Sequence, residues 1–87
     1  MYELKPIYDS RNSFYKKAFV YEYGNEKVLK SYGTTVAIVR GTGSDRRAEL
    51  TSYFDFSATT LRHVKEFLKQ EGFKVGSKSE MAKEYAF

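Results

Sequence analysis

The chain has 87 residues and a mass of 10.1 kDa, enough for one small domain over 1–87 and too little for separate cofactor and substrate domains. It has no cysteine and a single histidine, His63, which excludes disulfides, thiolate catalysis, Cys-ligated zinc and iron–sulfur clusters. Fifteen Lys and Arg against eleven Asp and Glu give +4, spread as +2 over 1–30, 0 over 31–56 and +2 over 57–87, so the charge forms no basic tail.

Apolar runs stay below membrane-spanning length, and Met1-Tyr2-Glu3 does not open a signal peptide. The expectation is a soluble intracellular protein. Ile, Leu, Val and Phe supply 20 of the 87 residues, so the core is thin and self-association is expected to complete it.

Pro6 fits an edge strand or an entry segment, and Asp9 to Ser13 form a turn cluster. Phe14–Tyr23 reads as a strand, Gly24 to Lys27 as a hairpin connection, and Val28–Tyr32 as the return strand. After Gly33, a bulge position, Thr34–Arg40 is apolar on both parities, which predicts a strand covered on both faces. Gly41 to Arg47 is a second turn. It has the look of a phosphate loop but lacks the P-loop lysine spacing.

Ala48–Phe56 alternates, with Leu50, Phe54 and Phe56 on one face and Tyr53 on the other. Ser57 is an N-cap for a principal helix over 58–71 with Gly72 following it. Ser77-Lys78-Ser79-Glu80 is a capping box opening a short C-terminal helix over Lys78–Tyr85. The fold class is therefore α+β, an antiparallel sheet of three to four strands with the principal helix on one face.

On a helical wheel Leu61, Val64 and Leu68 centre the buried stripe of the principal helix, with Phe67 and Ala58 flanking it. Thr59, His63 and Gln70 then face solvent, with Arg62, Glu66 and Lys69 beside them and an Arg62–Glu66 pair at i, i+4. Hydroxyls, a guanidinium and an imidazole in the first two turns favour an anion or a partner surface. No acid is placed by the sequence to make His63 a catalytic base, so no catalytic residue, metal site or cofactor is assigned.

Ser13-Phe14-Tyr15-Lys16-Lys17-Ala18, Ser31-Tyr32-Gly33-Thr34-Thr35-Val36-Ala37 and Ser57-Ala58-Thr59-Thr60-Leu61-Arg62-His63-Val64-Lys65-Glu66-Phe67-Leu68 resemble the recurring blocks of a small phage- and plasmid-borne family of uncharacterised proteins. The last block is the specific one, and the family often has glycine where this chain has Lys16. The resemblance implies an accessory protein of a mobile element in a bacterial cytoplasm, and no reaction. It also implies that Thr59, Thr60, Arg62 and His63 act as a unit; the place of Thr60 near the buried edge of the helix points to capping.

Fifteen of the 87 residues are Tyr or Phe. Tyr15, Phe19, Tyr21 and Tyr23 share one parity of the first strand with Lys17, a Tyr and Lys face that one helix cannot cover. Such a face is a stacking platform for single-stranded nucleic acid or an interface between copies of the chain. The expected function is a non-enzymatic binding module for nucleic acid, with Thr59, Arg62, His63, Lys69, Tyr21, Tyr23 and Lys17 as binding residues. The alternative is a protein-interaction factor that modulates a host or anti-phage defence protein.

Overall fold

Two-residue turns join three of the strands into a meander, and the helices follow on one side. The structure, a computed structural model, describes residues 1–9, 14 and 16–85. Along the chain run β1 (Tyr2–Glu3), β2 (Ala18–Tyr23), β3 (Glu26–Ser31), β4 (Thr34–Arg40), β5 (Arg47–Leu50), α1 (Ala58–Gln70) and α2 (Lys78–Tyr85). The five strands form one antiparallel sheet in the order β1-β2-β3-β4-β5. The expected α+β class holds, but the sheet has five strands rather than three to four. The added strand is β1, whose two residues pair with Val20 and Phe19 and which is too short to leave a periodic signal.

The first long strand begins at Ala18, later than expected. The chain turns just before it: Lys17 N–H donates to Phe14 O at 3.1 Å, and Lys16 takes φ +56. That left-handed conformation costs an L residue roughly 1–2 kcal/mol. The turn cluster at 9–13 and Tyr15 fall, apart from Asp9, outside the described residues. Within β2 the expected parity holds: Ala18 and Val20 are buried, and Phe19, Tyr21 and Tyr23 occupy the other face.

Gly24 at φ +59 opens the β2–β3 turn, so β3 starts at Glu26. Gly33 is not a bulge. Ser31 pairs with Thr34, and Tyr32 and Gly33 at φ +53 and +82 make the two-residue turn between β3 and β4. The bulge lies further along. Leu29 pairs with Ala37 and Lys30 with Thr35, leaving Val36 as the extra residue on β4. Val36 and Ala37 are therefore both buried on the helix side. That explains the apolar residues on both parities, which had predicted a strand covered on both faces.

At Gly41 a Cβ would meet Asp45 O at 2.7 Å, so only glycine fits this turn, which is a 3₁₀ link over Gly43–Asp45. β5 stops at Leu50, short of the expected Phe56. Thr51 N–H makes a last bond to Val36 O at 3.1 Å, and in that register residues beyond Tyr53 would face the Tyr32-Gly33 turn instead of a strand. The chain instead folds into turns, Phe54 N–H to Thr51 O at 3.2 Å and Phe56 N–H to Tyr53 O at 3.1 Å.

Both helix starts match their expected caps. Ser57 Oγ accepts from Thr60 N–H at 3.1 Å. In the capping box Glu80 N–H donates to Ser77 Oγ at 3.2 Å and Ser77 N–H to Glu80 Oε1 at 2.9 Å. α1 ends in a Schellman motif: Gly72 N–H bonds Lys69 O at 3.1 Å and Phe73 N–H bonds Leu68 O at 2.8 Å.

The core joins Leu4 and Phe14 to Ala18, Val20, Leu29, Leu50, Val64, Phe67, Leu68 and Met81. Each large apolar side chain buried there contributes about 1.5–3 kcal/mol. The buried arc of α1 differs from the wheel. Thr60, His63, Val64, Glu66, Phe67 and Leu68 are inside, Leu61 is half-buried and Ala58 is exposed. The cause is the N-terminal segment, which lies along a second flank of the helix. Glu66, expected to pair with Arg62, instead accepts the N–H groups of Ile7 and Tyr8 at 3.0 Å each and the Gln70 amide at 2.6 Å. Gln70 also donates to Lys5 O at 2.7 Å.

Candidate functional site

The Ser57–His63 block knits α1 to the sheet. Ser57 Oγ donates to Thr60 Oγ1 at 3.1 Å, Thr60 Oγ1 lies 3.2 Å from Ser31 Oγ, and Ser31 Oγ lies 2.8 Å from His63 Nδ1. Each hydroxyl carries one donor and two acceptor sites, so the chain closes in one direction when Nδ1 accepts. His63 is 0% exposed, and its ring sits 4.7 Å from Phe14 and 6.0 Å from Tyr32, centroid to centroid. It is a core histidine. The expectation of a solvent-facing His63 is corrected, because Phe14 and the Tyr32 turn cover the flank that the wheel left open.

Above this polar chain lies a cleft of about 240 Å³. Ser31 and Thr60 line it, each 2% exposed. Tyr32, Tyr53 and Phe56 also line it and are 54%, 55% and 78% exposed. Phe56 was expected to share the inward face of Leu50 and Phe54. The end of β5 at Leu50 places it outside instead. Sequence reading put Tyr53 and Phe56 on strand faces and gave neither a site role. One signal did point to Tyr32: Tyr-Gly occupies a two-residue turn whose first position favours Asn, Asp or Gly.

The other surface residues fall into two groups. On α1, Thr59 and Arg62 are half-buried, Lys69 is exposed, and Arg62, Lys65 and Lys69 line a hollow of about 90 Å³ together with Tyr8, Asp9 and Glu66. Lys69 Nζ stands 5.9 Å from the Tyr8 ring, and Lys17 Nζ 5.9 Å from the Tyr32 ring. Lys17 therefore stands by the Tyr32 ring at the rim of the cleft rather than with Tyr21 and Tyr23. Those two rings lie on the opposite side of the sheet, stacked at 6.5 Å and 8°, with Lys30 Nζ 5.0 Å from the Tyr21 ring. The residues named from sequence thus do not form one site.

Charge is distributed just as unevenly. Lys27, Arg40, Arg46, Arg47 and Lys78 all sit in ion pairs. Glu71 holds Lys27 at 3.1 Å and Arg46 at 2.8 Å, fastening the end of α1 to the sheet. Burial pulls the Lys27 pKa down, but the hydrogen bond and charge of Glu71 outweigh it and leave Lys27 raised. Burial raises the Tyr2 phenol nearby, against the opposing charge of Lys27. Among the described residues, Lys17, Arg62, Lys65 and Lys69 have no carboxylate at ion-pair distance.

No helix among the described residues is long and apolar enough to cross a membrane. No curated protein and no solved structure matches the chain. A family model does match, over residues 2–83, covering all five strands, α1 and most of α2. The chain belongs to that family, DUF8033, a family of unknown function.

Proposed function

We infer that the chain is a non-enzymatic module that binds single-stranded nucleic acid. The observation that carries this reading is the set of cations with no carboxylate at ion-pair distance among the described residues, Arg62, Lys65 and Lys69 along α1 and Lys17 by the Tyr32 ring, beside exposed Tyr8 and Tyr32. Unpaired cations attract phosphates by counterion release, and accessible aromatic faces stack on unpaired bases. Service to a bacterial mobile element, in the cytoplasm of the host, is proposed from the resemblance of the sequence blocks. The test is the affinity for a labelled single-stranded oligonucleotide as salt is varied. Loss of one phosphate contact in Arg62→Ala flattens the log–log slope by about 0.7. A slope that does not change contradicts the reading.

A protein-interaction factor, or a dimer, is the second reading. It is favoured by the outer face of the sheet, where Phe19, Tyr21 and Ile38 stand with no helix over them. Arg40 bonds Glu26 at 2.6 Å and Glu49 at 3.0 Å there, so its charge is already paired and the rim suits a protein partner better than phosphate. Light scattering that gives a 10.1 kDa particle at high micromolar concentration contradicts the dimer.

A further inference from the structure

The geometry points to the cleft over Ser31 and Thr60 as a pocket for one unpaired nucleobase, an inference that rests on the strand-binding reading and gives it a specific seat. The volume of about 240 Å³ is below the roughly 300–1,000 Å³ of pockets for drug-sized ligands and suits a single flat ring system. Tyr32, Tyr53 and Phe56 offer ring faces at the rim, and every base has a π-face to lay against them.

The floor supplies what an aromatic rim alone does not, hydrogen bonding to a base edge. When His63 Nδ1 accepts from Ser31, Thr60 donates to Ser31 and accepts from Ser57, and one lone pair on each of Ser31 and Thr60 remains for a donor on the ligand. When Nδ1 carries the proton, Ser31 donates to Thr60, and the Thr60 proton is released to meet an acceptor on the ligand. Lys17, whose Nζ is 5.9 Å from the Tyr32 ring at the rim, stands ready for a phosphate beside the base.

The occupant is a base of a strand rather than an aromatic side chain of a protein, because Lys17 beside the rim has no carboxylate at ion-pair distance among the described residues and complements phosphate. The test uses two labelled ten-nucleotide strands of equal charge, oligothymidylate and its abasic counterpart, measured by fluorescence anisotropy against the full chain. The wild type should bind the thymidylate strand about tenfold more tightly than the abasic one. Phe56→Ala, which removes an exposed ring, should abolish most of that preference and leave the abasic affinity unchanged. Arg62→Ala should weaken both strands alike. Equal affinity of the wild type for the two strands, or a preference that survives Phe56→Ala, overturns the base pocket and leaves strand binding standing. Binding of neither strand overturns both readings, and retention of an aromatic peptide alone would assign the cleft to a protein partner.

Discussion

Ser31 Oγ and His63 Nδ1 lie 2.8 Å apart, and this bond ties the last residue of β3 to the second turn of α1. It makes His63 a structural residue. Truncation to alanine removes a buried ring and leaves the Ser31 hydroxyl short of a partner. His63→Ala should cost about 2–4 kcal/mol in urea unfolding. Arg62→Ala, one residue away but at the surface, should stay within about 0.5 kcal/mol. Equal effects from the two would contradict the buried assignment.

Glu66 holds the N-terminal segment. Its carboxylate receives the N–H groups of Ile7 and Tyr8, so Glu66→Ala strips two backbone donors of their acceptor. Each such loss costs about 1–3 kcal/mol where water does not replace it. Hydrogen exchange at the Ile7 and Tyr8 amides should accelerate markedly in Glu66→Ala, while the amides of β3 keep their protection. Unchanged exchange at Ile7 and Tyr8 would show that the segment is held by Leu4 and Phe14 alone.

Tyr32 occupies the first position of a turn at φ +53, where asparagine is far better tolerated. Tyr32→Asn should raise the unfolding free energy by about 0.5–1 kcal/mol while weakening oligonucleotide binding. A loss of stability would mean that the contacts of Tyr32 with His63 and Lys17 outweigh the backbone strain.

The Glu80 carboxyl is held below its usual value, first by the Ser77 N–H and then by the Ser77 hydroxyl, while burial opposes weakly. A depressed folded pKa stabilises α2 above the unfolded value of 4.5, and the contribution is lost as pH falls through the lower folded value. An NMR titration of Glu80 should therefore show a midpoint below 4.5 that returns toward it in Ser77→Ala. A midpoint indifferent to that substitution would rule out the Ser77 hydroxyl as a cause and leave the Ser77 N–H alone.

What the sequence made legible was local. Ser57, Gly72, Ser77 and Glu80 act within a few residues of themselves, and both helices lie where their caps place them. What it hid depends on distant chain. The wheel could not know that residues 4–8 and Phe14 cover a second flank of α1, so it turned His63 and Glu66 outward. Alternation over 48–56 matched a strand, but β5 leaves the sheet after Leu50, and that early end places Tyr53 and Phe56 on the rim of the cleft. The candidate site was half visible. Arg62, Lys69 and Lys17 were named from sequence, whereas Tyr53 and Phe56 were assigned to strand faces.

The central claim is that the strand lies on the α1 side, in the cleft and along the helix cations. Amide chemical-shift mapping of the labelled protein with a single-stranded oligonucleotide tests it most directly. The account predicts the largest shifts at Lys17, Tyr32, Gly33, Tyr53, Phe56, Arg62 and Lys65, with Tyr21, Tyr23 and Ile38 unmoved. Shifts confined to the outer sheet face, or none at saturating strand, would contradict it.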